Sequence, residues 1–290
     1  MKKWFFWLVI LLLLGYGLAQ HKLRVVNDKP PQEDNQAQEI ISQKNEVSIK
    51  VTKNQIYKGN LLLVNKDHPV PPVGEESEEA VNLFQNKELV KGFGLLDNTI
   101  QLSPRLVQKF STMIETAKND GVSHFLISSG YRDDKQQHQL YQQMGAEYAL
   151  PAGYSDHNLG LSLDIGSTQA EMNRATEGKW LKKNAWRYGF ILRYPKDKTA
   201  ITGIQYEPWH FRYVGLPHSA FMEEKNFVLE QYLDFLKVQK TITTTVDHQI
   251  YEITYYPVFK NTTISVPADG RYEISGNNID GVIVTVNQGS

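Results

Sequence analysis

Two short strings carry the residue types that hydrolysis at a metal ion needs. The first is Ser155-Asp156-His157-Asn158-Leu159-Gly160-Leu161-Ser162-Leu163-Asp164, an imidazole and a carboxylate joined by a glycine-containing link with alternating apolar positions. In a strand, Leu161, Leu163 and Ile165 share one face while Ser162 and Asp164 share the other. A carboxylate in the middle of an apolar strand is expensive unless something pairs with it. A cation answers that need, and so does a buried arginine. The second string is Glu207-Pro208-Trp209-His210-Phe211-Arg212-Tyr213. With His210 as a third ligand, His157, Asp164 and His210 form a pair of neutral imidazoles plus one carboxylate. That set suits zinc, with a fourth position open to water. Glu207 is then free for general-base work. In a regular strand Glu207 and His210 would face opposite ways; Pro208 interrupts the ladder and predicts that Glu207 approaches from a turn. A third string, Ser128-Ser129-Gly130-Tyr131-Arg132, closes a strand-like run. Arg132 there is placed either to fork onto a carboxylate through two parallel hydrogen bonds or to bridge to Asp133 or Asp134 at the surface. Gln137 lies one turn along the helix that follows.

Composition narrows the alternatives. The 290 residues include no cysteine, which excludes disulfides, thiolate nucleophiles and Cys-ligated metal, so any metal rests on His, Asp or Glu. Lys+Arg 31 against Asp+Glu 32 leaves a net charge of -1, without the basic field that nucleic acid requires, so no nucleic-acid partner is expected. An apolar fraction of 41% with 22% charged residues is ordinary for a chain with a real core. The Ser-x-x-Lys and Lys-Thr-Gly signatures of penicillin-binding serine peptidases are absent.

The elements that must position these residues read as α+β. Ser103-Pro104 caps a helix whose Leu106, Phe110, Met113, Ile114 and Ala117 form one stripe. Val122 to Ser128, Gly189 to Tyr194 and His210 to Val214 read as strands, and further helices are predicted from Asp133 or Asp134 through Gln142, over Gly178 to Tyr188 and over Ser219 to Val238. Helices segregated around a few short strands give that class. Four segments are expected: a signal-anchor over 1–19, a disordered tether over 20–55, a catalytic domain over 56–238 and a small all-β module over 239–290. The anchor is read from Met1-Lys2-Lys3 before an apolar run to Ala19. It places the remainder outside the cytoplasm at the cell membrane, the alternative being secretion after cleavage near Gly17-Leu18-Ala19.

The sequence resembles the zinc D,D-carboxypeptidases of the VanY type, in the LAS metallopeptidase group, from about Tyr57 to the C-terminus. The shared strings are Ser129-Gly130-Tyr131-Arg132, Met144 to Ser155, Gly203 to Ser219 with its Glu-Pro-Trp-His, and Arg271 to Asn278. The resemblance implies a small antiparallel sheet flanked by helices, as in the Hedgehog and D,D-peptidase folds. It implies one zinc ion per chain on His157, Asp164 and His210, with Glu207 as catalytic base. Arg132, Gln137 and Ser155 are implied to bind substrate. Asp156 stands where relatives often carry Glu, and Ser162 where many carry Ala. The implied reaction removes the last D-Ala from peptidoglycan stem peptides or lipid-linked precursors ending in D-Ala-D-Ala, contributing to vancomycin-type resistance. A D,D-dipeptidase, an L,D-carboxypeptidase or a non-catalytic wall-binding protein on the same scaffold are the rival expectations. The sequence sets no oligomeric state.

Overall fold

The computed structural model describes residues 45–71, 79–260 and 262–289. The expected anchor over 1–19 and the first part of the expected tether lie outside these residues. Among the described residues, no helix is long and apolar enough to cross a membrane.

The described residues form thirteen strands: β1 Glu46–Val51, β2 Val81–Asn82, β3 Gly94–Leu95, β4 Gln101–Leu102, β5 Phe125–Ser129, β6 Ser162–Ser167, β7 Phe190–Leu192, β8 His210–Tyr213, β9 Thr241–Val246, β10 Gln249–Pro257, β11 Thr262–Pro267, β12 Tyr272–Gly276 and β13 Gly281–Gly289. Their α-helices are α1 Pro104–Asn119, α2 Asp134–Met144, α3 Asp156–Leu159, α4 Thr176–Asn184, α5 Thr199–Thr202, α6 His218–Lys225 and α7 Leu229–Gln239. A five-stranded sheet in the order β3-β5-β6-β8-β7 carries the site. It is antiparallel apart from the parallel β3–β5 edge. A second sheet runs β12-β13-β10-β9.

Helix α1 forms as its capping signals dictate. Ser103 Oγ accepts from the Leu106 amide at 3.2 Å, Pro104 stands in the first turn, and the stripe from Leu106 to Ala117 is buried. That stripe packs with Phe125, Leu163, Ile165 and Phe211 into the main core, so β6 and β8 are fixed from one side by apolar burial. Helix α2 starts at a reciprocal capping box. The Asp133 carboxylate accepts from the Gln136 amide at 2.7 Å, and Gln136 Oε1 accepts from the Asp133 amide at 3.0 Å. Asp133 is thereby committed to the helix start, and the surface bridge to Arg132 is not formed by it.

Three expectations need correction. The helix predicted over Ser219 to Val238 is two helices, α6 and α7, because Asn226 takes a left-handed conformation (φ 52) and ends α6. Residues 46–55, read as part of the tether, are ordered: β1 pairs antiparallel with β11, and Val51 is buried. The strands after residue 239 form as expected, yet they are not a separate module. Ile253, Tyr255 and Ile283 share one core with Leu61 and Leu63, with Val214 after β8, and with Leu229, Leu233 and Leu236 of α7. Residues 44–290 accordingly form a single compact unit.

Candidate active site

Backbone pairing brings the predicted ligands together. In the β6–β8 ladder Asp164 lies directly opposite His210, and in the β5–β6 ladder Asp164 also faces Ser129. His157 arrives from the short helix α3, whose start is capped by Ser155 Oγ on the His157 amide at 3.3 Å and whose end turns at Gly160 in the left-handed region (φ 79). The His157 ring is oriented from behind, Nδ1 lying 2.6 Å from the Gly130 carbonyl oxygen. Nδ1 therefore donates and Nε2 presents its lone pair forward, the arrangement a metal-binding imidazole needs.

His157 Nε2 and His210 Nδ1 each lie 3.3 Å from Asp164 Oδ1. One donor atom from each of the three side chains falls within 4.8 Å of the others. Among the described residues, His157 Nε2 and Asp164 Oδ1 are buried without a hydrogen-bond partner. Buried polar atoms are ordinarily satisfied, and two orphaned lone-pair atoms 3.3 Å apart are what a cation would satisfy. Two imidazoles and a carboxylate in this geometry fit zinc.

Electrostatics prepare the set for that role. Burial, helped by the nearby Arg132 charge, pulls the His157 pKa down to about 4, so the ring is neutral at pH 7. Burial works to raise the Asp164 pKa, but His157, His210 and Arg132 outweigh it and hold the carboxyl well below its usual range. Glu207 goes the other way: burial raises it, with His210 partly opposing. Its Oε2 lies 3.4 Å from His210 Nδ1, and it comes from the Glu207-Pro208-Trp209 turn that leads into β8, as the proline predicted.

These groups open onto a cleft of about 480 Å³ lined by Arg132, Gln137, Ser155, Asp164, Glu207 and His210, among others. Arg132 follows β5. Its Nη1 lies 3.3 Å from Ser129 Oγ and 3.8 Å from Asp164 Oδ2, and its Nε is buried without a partner among the described residues. Gln137 is buried, donating Nε2 to the Leu150 carbonyl at 2.7 Å and leaving Oε1 unpartnered. Ser155 lines the cleft while its hydroxyl is engaged in capping α3.

Residues 99–216 match the family model described as VanY: D-alanyl-D-alanine carboxypeptidase. A D-alanyl-D-alanine carboxypeptidase of Enterococcus faecium is 57% identical over 299 residues, covering 100% of this chain and 98% of the relative. The chain belongs to the VanY family of D-alanyl-D-alanine carboxypeptidases. Among solved structures, the vancomycin-resistance D,D-dipeptidase VanXYg with a D-Ala-D-Ala phosphinate analogue is similar at TM-score 0.73 and 30% identity, covering 84% of this chain and 99% of that one. VanYB in complex with D-alanine-D-alanine is similar at TM-score 0.50 and 30% identity, covering 60% of this chain and 97% of the other.

All seven residues singled out from the VanY-type motifs, His157, Asp164, His210, Glu207, Arg132, Gln137 and Ser155, are at or around this one cleft. Sequence reasoning missed Tyr194, which follows β7, is buried, and holds its ring centroid 4.9 Å from that of His210. It also missed Trp209 as a wall of the cleft. Tyr194 carries no local signal of its role, since only the β7–β8 pairing delivers it there.

Proposed function

We propose that this protein is a membrane-anchored zinc D,D-carboxypeptidase that removes the terminal D-Ala from peptidoglycan precursor pentapeptides ending in D-Ala-D-Ala. The convergence of His157, Asp164 and His210 beside Glu207 and Arg132, in a chain of the VanY family, carries this reading. Bound there, zinc supplies a Lewis acid and a water of lowered pKa.

The chain's own residues do the rest. His157 and His210 offer one nitrogen each and Asp164 one anionic oxygen to hold the ion. Glu207, raised by burial, takes a proton at its carboxylate during water attack and returns it to the departing D-Ala amine. Arg132 grips the terminal carboxylate of the peptide with the donors left free of Ser129, which makes the reaction an exopeptidase cut. Gln137 Oε1 and the Ser155 edge of the cleft contact the same end of the substrate. Anchoring on the extracytoplasmic side, supported by the Lys2-Lys3 start and the apolar run to Ala19, suits substrates presented at the membrane surface. Trimming such stems would remove the dipeptide that vancomycin-type antibiotics bind, and the resistance context of the VanXYg relative supports that role.

The similarity to a D,D-dipeptidase over 84% of the chain favours one second reading, cleavage of free D-Ala-D-Ala. Release of D-Ala from a pentapeptide, a tetrapeptide and the free dipeptide, with and without a chelator, separates the readings. The expected result is chelator-sensitive release from the pentapeptide, lost in Glu207→Ala while zinc stays bound. Preference for the dipeptide supports the second reading, and release that survives metal removal refutes both.

A further inference from the structure

Behind His210 lies a second group of charges that the cleft lining leaves out. Asp156, Arg193 and Arg212 are fully buried, and Glu230 of α7 joins them. Asp156 Oδ1 accepts from Arg212 Nη1 at 2.5 Å and its Oδ2 from Arg193 Nε at 3.0 Å. Arg193 forks onto Glu230 through Nη1 at 2.9 Å and Nη2 at 2.8 Å. Arg212 donates from Nη2 to the carbonyls of Asn60 (3.0 Å) and Leu62 (2.9 Å), while Arg193 Nη2 reaches the carbonyl of Val64 at 3.4 Å. Two carboxylates and two guanidiniums balance. Burying four charges brings little net stability over apolar packing, because desolvation offsets the attraction. A positional role accounts better for keeping them.

The geometry around His210 names that role. Its Nδ1 faces Asp164 and Glu207, so its Nε2 points backward. Among the described residues Nε2 is buried without a hydrogen-bond partner, and Asp156 Oδ2 stands 3.9 Å from it. An imidazole that offers Nδ1 to a metal carries its proton on Nε2. A fixed negative charge behind that proton favours this tautomer and this ring orientation, as the Gly130 carbonyl does for His157. Asp156 is held by both arginines, so it has little freedom to turn away.

We propose that Asp156, clamped by Arg193 and Arg212 and tied through Arg193 to Glu230, is the positioning residue that sets His210 to present Nδ1 to the metal. The inference rests on the zinc reading above. It also extends the working site beyond residues 99–216 matched by the family, to α7 and to the 60–65 strap.

The test uses the full chain stripped of metal and titrated with zinc against a chromophoric chelator, with kcat, KM and thermal unfolding measured beside it. Asp156→Asn is expected to weaken zinc binding about 10–100-fold, the scale typical of lost partners behind a ligand. Its kcat should fall while KM stays within about twofold. Asp156→Glu, which keeps the charge, should recover most of the affinity, and Glu230→Gln should weaken it in the same direction by less. If Asp156→Asn does not fold, Glu230→Gln and Asp156→Glu decide alone. Folded variants with wild-type zinc affinity, or a lowered melting temperature with unchanged affinity, would overturn the proposal. A wild-type chain that binds zinc but releases no D-Ala would sink the functional reading and leave this comparison standing.

Discussion

His218 gives the protein an acid-labile joint whose magnitude follows from its surroundings. The ring opens α6 and is buried between two hydroxyls, Nδ1 lying 2.7 Å from Tyr232 Oη of α7 and Nε2 3.1 Å from Thr285 Oγ1 of β13. Burial pulls its pKa from the ordinary 6.5 down to about 3. The folded state thus keeps the ring neutral where the unfolded chain already binds a proton. The stability tied to that difference is complete above about pH 6.5 and drains away as pH falls toward 3. Each pH unit below the unfolded value removes about 1.4 kcal/mol, so about 2 kcal/mol is gone at pH 5. The control is His218→Gln, whose amide offers hydrogen-bonding groups but does not titrate. Urea unfolding of both chains, metal-free so that zinc release adds no slope, is compared between pH 8 and pH 5. The gap between wild type and variant is expected to shift by about 2 kcal/mol against the wild type on acidification. Curves that stay parallel to within about 0.5 kcal/mol across that range would refute the reasoning.

Two further outcomes are expected. Arg132→Lys keeps a positive charge but loses the planar fork, so KM for the pentapeptide should rise about tenfold or more with a smaller fall in kcat. Steady-state D-Ala release measures this, and an unchanged KM removes Arg132 from carboxylate recognition. Gly130→Ala should destabilise the fold by about 1–3 kcal/mol, because its added Cβ would lie 2.2 Å from the Gln101 carbonyl oxygen and 2.8 Å from Leu102 Cγ. Since the Gly130 carbonyl orients His157, zinc affinity should fall as well; a normal melting temperature with normal zinc binding would show that the loop yields freely.

The ligand set was legible in the sequence because its chemistry is concentrated in two short strings, and a proline announced the turn that delivers Glu207. An Asp placed mid-strand left two partners open, a cation or an arginine, and the structure provides for both, with Arg132 3.8 Å from Asp164 Oδ2 beside the metal-type donor set. The strand β1 and the charge cluster were not legible. Arg193 meets Asp156 and Glu230 only after the sheet and α7 have formed, and no spacing rule links residues so far apart. The string Glu46 to Val51 alternates charged or polar with apolar residues, but it finds its partner β11 far along the chain, and a polar neighbourhood disguised it as tether. The single helix expected over Ser219 to Val238 failed at one residue, because Asn226 tolerates the left-handed backbone that ends a helix.

The pairing of Asp164 with His210 across two neighbouring antiparallel strands makes the metal centre a gauge of assembly. Sliding β8 past β6 by one position would turn one of these side chains to the opposite face of the sheet. A misregistered chain could then keep much of its helix content and still fail to load zinc. Metal uptake during refolding should therefore lag the appearance of helices and coincide with the locking of these two strands, reporting the moment at which the molecule acquires its correct alignment.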